Sequence, residues 1–171
     1  MKASTTLAFG LPMLSTCALA ADLSVKIEIP QMNVAEYHRP YIAMWLEKGD
    51  QSVVTPLAVL YDIKKRDNGG TKWLKDMRTF WRKVGRDLSY PVDGVSGATK
   101  TTGEHTISFP AKKAELDKLP AGDYTLAVEV AREAGGRELV RIPFRLPVTG
   151  KQTFSAKGKE EVGNISLQVA P

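Results

Sequence analysis

Gly122-Asp123-Tyr124-Thr125-Leu126-Ala127-Val128-Glu129-Val130-Ala131 is the stretch on which the fold class turns. Tyr124, Leu126, Val128 and Val130 alternate with Thr125, Ala127, Glu129 and Ala131, the two-residue period of a strand with one face in a core and the other toward solvent. Gly135 and Gly136 supply a turn, and residues 138–146 return as the second arm of a hairpin. The same reading extends in both directions. Val25, Ile27 and Ile29 alternate with Ser24, Lys26 and Glu28, while residues 41–46 and 53–61 are more fully apolar. Pro56 inside the latter run points to an edge position or a bulge, because proline cannot donate to a ladder. Ile107 and Phe109 mark a short strand ended by Pro110, and Ile165, Leu167 and Val169 a last one. Seven or eight short strands at this spacing predict a mainly β fold, an immunoglobulin-like β-sandwich.

One segment has a different period. Between residues 71 and 84, Trp73, Leu74, Met77, Phe80, Trp81 and Val84 fall on one face of a helix, with Thr71 after Gly69-Gly70 as its N-cap. A single amphipathic helix over 71–84 is predicted. Residues 85–104 follow as the longest stretch without periodicity, read as one loop, and long loops in small domains are often functional.

The N-terminus has the layout of a secretion signal. Lys2 supplies a positive start, residues 7–14 are mostly apolar, and Ala18-Leu19-Ala20 precedes the expected mature start at Ala21. Cys17 raises the alternative of a lipidated cysteine, but Thr16 before it is unusual, and simple cleavage is favoured. Cleavage takes Lys2 from the 24 basic residues, leaving 23 against 19 acidic ones and a net charge of +4. It also removes the only cysteine, and with it any disulfide, thiolate nucleophile, thiolate metal site or c-type haem attachment. No apolar run reaches the roughly 20 residues of a bilayer span, so no transmembrane segment is expected in the mature chain. Residues 21–171 suit a single β-sandwich domain. A basic balance can signal nucleic acid, but export and interspersed charges argue against that partner.

Within the aperiodic stretch stands Asp93-Gly94-Val95-Ser96-Gly97-Ala98-Thr99. It resembles the acceptor sequence Asp-x-x-Ser-Gly-Ala-Thr, on which flavin transferases of the ApbE type attach FMN to the final threonine. That resemblance implies covalent FMN on Thr99, the transferase cleaving FAD and leaving FMN as a phosphoester. Gly97 lets the backbone come close to another molecule, Ala98 keeps the next position small, and Thr99 offers the hydroxyl. Asp93 and Ser96 can shape the turn through side-chain to backbone hydrogen bonds, or can be recognition points for the transferase. Thr101 and Thr102 are rival acceptors. Acceptor motifs of this kind mostly sit in an α+β FMN-binding domain, and this chain departs from that pattern. Read without chemistry, the same residues are a turn built from Gly, Asp and Ser.

The wider pattern joins residues 41–46, Tyr-Ile-Ala-Met-Trp-Leu, to the helix with Trp73, Leu74 and Trp81. Gly97-Ala98-Thr99, Gly122-Asp123-Tyr124 and Glu129-Val130-Ala131-Arg132-Glu133 complete it. It resembles a family of bacterial predicted periplasmic proteins, the domain of unknown function 2271. Members are commonly encoded near PepSY-type membrane proteins and ApbE-type flavin transferases. The resemblance implies a periplasmic flavinylated electron-transfer protein, relaying electrons between a PepSY-type membrane reductase and an extracytoplasmic acceptor, with a link to iron acquisition. Such a protein is an electron carrier more than an enzyme, and no catalytic residue is assigned. The alternative is a cofactor-free immunoglobulin-like binding module that docks a membrane or metal-uptake partner.

Other residues have two readings each. Tyr90, Trp73 and Trp81 are candidate neighbours of a flavin ring, or core residues of the helical stripe. Lys72, Lys75, Arg78, Arg82, Lys83 and Arg86 can neutralise a phosphate or dock an acidic surface, or form a solvated face. His38 and His105 lack the spacing of a metal pair, so no metal site is assigned.

Overall fold

The computed structural model of the protein describes residues 21–112, 114 and 116–171. The expected signal peptide, residues 1–20 with Cys17, lies outside the described residues. Nine strands form two sheets among the described residues. They are β1 (Asp22–Ile29), β2 (Tyr41–Lys48), β3 (Val53–Tyr61), β4 (Ser96–Ala98), β5 (Gly103–Phe109), β6 (Gly122–Ala131), β7 (Arg137–Leu146), β8 (Gln152–Lys157) and β9 (Asn164–Ala170). The first sheet runs β5-β1-β9-β8 and the second β4-β3-β2-β6-β7. The result is a mainly β, sandwich-like fold, with nine strands where seven or eight are expected and two that no segment of the sequence reading marks. Those two are β4 and β8.

The main core lies between the sheets. Val25 and Ile27 from β1 and Ile165 and Leu167 from β9 meet Ile42, Met44 and Leu46 from β2 and Leu126 and Val128 from β6. All nine are fully buried, each contributing about 1.5–3 kcal/mol of apolar burial. Pro56 sits at a bulge. Met44 pairs with Ala58 and Trp45 with Pro56, leaving Leu57 as the extra residue of the bulge, and β4 pairs with β3 only from Val59 to Tyr61. The β6–β7 hairpin closes as expected, with Ala131 opposite Arg137 and Arg132 N donating to Gly136 O at 3.1 Å.

A second core explains why residues 41–46 are apolar on both faces. Tyr41, Ala43 and Trp45 turn away from the sandwich and pack with Val59, Tyr61, Ala127 and Ala131 against Leu74, Met77 and Phe80 of the connection between β3 and β4. That connection covers the outer face of the second sheet. Ala127, Glu129 and Ala131, expected toward solvent, are therefore buried. Alanine at positions 43, 127 and 131 keeps this face low enough for the covering segment to approach.

The expected continuous helix over 71–84 is replaced by two pieces. A 3-10 segment, Arg66–Asp76, breaks at Met77, and α1 (Arg78–Lys83) begins beyond it. Thr71 does not cap; its hydroxyl donates to Asn68 O at 2.7 Å. The capping carboxylate comes instead from β6, where Glu129 accepts Thr79 N–H at 3.0 Å and Phe80 N–H at 2.6 Å. A negative group at the first-turn amides fixes where the helix restarts. The apolar stripe survives the break, with Leu74, Met77 and Phe80 buried and Trp73, Trp81 and Val84 partly so.

Candidate functional site

The stretch 85–104, expected as a loop, contains the short strand β4, which carries the motif's second half. β4 pairs in parallel with β3, Ser96 opposite Val59, Gly97 opposite Leu60 and Ala98 opposite Tyr61. Val59 N donates to Val95 O at 2.9 Å and Thr99 N to Tyr61 O at 3.0 Å, extending the ladder at both ends. No apolar alternation announces this strand; backbone pairing alone defines it.

The motif's first half is a turn. Gly94 has φ of 70°, a left-handed value that favours glycine. Ser96 N donates to Val92 O at 2.8 Å, and Ser96 Oγ accepts Val92 N–H at 2.9 Å. Ser96 is thus a turn-forming residue. Asp93 is exposed and makes no side-chain hydrogen bond among the described residues. Gly97 lies close to the core: a Cβ there would stand 2.9 Å from Leu60 Cδ2. Ala98 is exposed.

Thr99 is half-buried, and its hydroxyl donates to the carbonyl oxygen of Pro40. The residue lines a cavity of about 270 Å3 with Tyr37, His38, Arg39, Tyr41 and Lys65, together with the carboxylates of Asp62 and Glu133. Lys65 pairs with Glu133 at 3.4 Å, and His38 Nε2 lies 3.2 Å from Glu36. Burial, reinforced by the nearby carboxylates of Glu133, Asp62 and Asp76, pushes the Tyr41 phenol up to about 12. Tyr41 is therefore a hydrogen-bond donor at any physiological pH. On the other side of the motif, Asp93, Ser96 and Gly97 border a cleft of about 360 Å3 floored by Leu57, Leu60 and Phe109. There β3 is paired by β4 only at Val59, Leu60 and Tyr61, so its first half is an open edge facing the edge strand β5.

The other candidates lie elsewhere. Tyr90 donates its hydroxyl to Gly85 O at 3.0 Å, stacks on Trp81 at 6.4 Å and meets Tyr61 edge-on at 6.0 Å. It belongs to the second core, where burial raises its phenol well above the usual range. Trp73 packs on the same core. None of these three rings lines the Thr99 cavity. Thr101 is exposed and Thr102 half-buried, and the Thr101 carbonyl holds His105 Nε2 at 2.7 Å. Lys72, Lys75, Arg78, Arg82 and Arg86 are exposed, but Lys83 turns inward to Glu47 at 2.8 Å. Among the described residues no group of three His, Cys, Asp or Glu is placed to hold a metal, and no helix is long and apolar enough to cross a membrane.

Sequence reasoning missed the cavity walls. Tyr37, Arg39, Tyr41, Asp62, Lys65 and Glu133 come from three segments far apart in sequence. In the sequence His38 stands out only as a metal candidate, and Tyr41 and Glu133 only as parts of the family pattern.

No curated protein and no solved structure matches the chain. The family described as predicted periplasmic protein (DUF2271) does, over residues 22–164, and the chain belongs to that family.

Proposed function

We propose that the protein is a periplasmic electron carrier that bears FMN as a phosphoester on Thr99. The observation that carries this reading is the placing of the Thr99 hydroxyl: at the end of edge strand β4, bordering a polar cavity, next to an exposed turn. β4 has a neighbour on one side only. An edge strand is a ready template for an added strand, which gives an ApbE-type transferase an extended segment to engage. Ala98, exposed beside Thr99, adds only a methyl group to that segment.

The residues present fit the phosphate end of FMN. A cavity of about 270 Å3 falls below the roughly 300–1,000 Å3 of pockets that enclose a drug-sized ligand. It suits the phosphate and leaves the ring system toward solvent. Bound FMN would supply one- and two-electron chemistry. This chain's part is to present Thr99, hold the phosphate and keep the ring reachable by a PepSY-type membrane reductase and an extracytoplasmic acceptor.

The test is the intact mass of the protein recovered from a periplasm that contains the transferase. Wild type should gain the mass of FMN less one water and be yellow, and Thr99→Val should show neither. An unmodified wild-type mass overturns the reading. It would favour a cofactor-free binding module, for which the cleft between the open edges of β3 and β5 is the natural docking place.

A further inference from the structure

This inference rests on the flavin reading of Thr99 and deepens it. Residues 30–40 connect β1 to β2 and end at Thr99. Pro40 is buried, and its carbonyl accepts the Thr99 hydroxyl. The three preceding residues, Tyr37, His38 and Arg39, line the cavity beside that hydroxyl.

Attachment removes the hydrogen of this bond. Thr99 Oγ1 forms a bond to the FMN phosphorus of FAD, the pyrophosphate bond to the AMP half breaks, and AMP departs. The threonine proton passes to a base of the transferase, and nothing is oxidised or reduced. Thr99 Oγ1 is then an acceptor with nothing to donate. It faces the Pro40 carbonyl oxygen, a second acceptor, and Pro40 loses its partner at a buried position. The contact that fixes the connection before attachment must open after it.

Charge then selects the new contact. Lys65 is committed to Glu133 and His38 to Glu36, and Asp62 places a further carboxylate in the wall. Arg39 is exposed and, among the described residues, has no ion pair and no side-chain hydrogen bond. A guanidinium matches two phosphate oxygens at once, and Arg39 adjoins the carbonyl that attachment releases. We propose that residues 30–40 are a clasp that reads the state of Thr99: Pro40 holds the free hydroxyl, and Arg39 takes the phosphodiester once FMN is attached.

The test loads the mature full-length chain with purified transferase and FAD. Intact mass, the rate of chymotrypsin cleavage after Tyr37 and flavin fluorescence anisotropy are followed in wild type, Thr99→Val and Arg39→Gln. Loaded wild type should be cut after Tyr37 about tenfold faster, the effect of one lost hydrogen bond on opening of the connection. Thr99→Val, which lacks the hydrogen without gaining a flavin, should show the same acceleration. The anisotropy of the loaded flavin should fall in Arg39→Gln, and in wild type at about 1 M salt, where the screening length is about 3 Å. If Arg39→Gln does not load, the salt series on loaded wild type decides. A loaded wild type with unchanged cleavage after Tyr37 and salt-insensitive anisotropy sinks the clasp while the flavin reading stands. No mass gain in wild type sinks the flavin reading and the clasp with it.

Discussion

Glu129 on β6 holds the backbone N–H of Phe80 at 2.6 Å, across 49 residues of sequence. The same carboxylate takes Thr79 N–H and the guanidinium of Arg137, while Arg137 also donates to Thr79 Oγ1 at 2.7 Å. One fully buried acid thus ties the covering segment to the sheet beneath it.

Glu129→Ala should destabilise the protein by about 3 kcal/mol, since it leaves two first-turn amides and one arginine without their acceptor. Glu129→Gln should recover part of that. Urea unfolding followed by tryptophan fluorescence checks both, and an unchanged midpoint in Glu129→Ala would show that the segment is held by its apolar face alone.

Acid should loosen the fold through Glu47 and Glu138. Burial alone would raise both carboxyls, but hydrogen bonds outweigh it. Those from Arg141, Lys83 and Trp45 hold Glu47 below the ordinary 4.5. Backbone N–H groups of residues 159–162 do the same for Glu138. A depressed folded-state value adds stability that is complete above 4.5 and drains away as pH falls through the lower folded value. Stability measured from pH 7 down to about 3 should decline below 4.5, and Glu47→Gln should flatten that decline. A variant with the wild-type slope would rule Glu47 out as a source.

Arg132 and Glu161 form a two-bond pair at 2.6 and 2.9 Å, with side chains only 9% and 5% exposed. Gly136 makes room for it, since a Cβ there would lie 2.2 Å from Glu161 Oε1. Arg132→Ala should cost about 3–5 kcal/mol by stranding the acid, and Arg132→Ala with Glu161→Ala together should cost less than the single change. A double variant as unstable as the two single effects combined would deny the coupling.

Gly97→Val should cost about 1–3 kcal/mol, because branching at a Cβ 2.9 Å from Leu60 Cδ2 forces β4 outward. Gly97→Ala should be milder, since the end of a leucine can rotate away. Thermal unfolding ranks the two, and equal melting points would mean that β4 shifts freely on the edge.

Much of the sandwich can be read from residue types, because β1, β6, β7 and β9 each put large apolar side chains at every second position. β4 and β8 cannot. Ser96-Gly97-Ala98 has no apolar side chain larger than a methyl, and β8 offers only Phe154 and Ala156 to the core. The stripe from Trp73 to Val84 was legible, but not its break, since the acid that restarts the helix lies some 50 residues away. Thr99 stood out by its neighbours in sequence. Its cavity did not, because the walls meet only once β1–β2, β3 and the β6–β7 turn are assembled.

The seat of β1 also governs when the molecule can form. β1 lies between β5 and β9, with Leu23 opposite Phe109 and Asp22 opposite Ala170. Its two neighbours emerge from the ribosome roughly 80 and 140 residues after it, and non-local partners of this kind delay ordering. The first sheet stays open at its centre until β9 arrives, whereas every strand of the second has emerged by Leu146, so half of the sandwich can assemble before the other half has its middle.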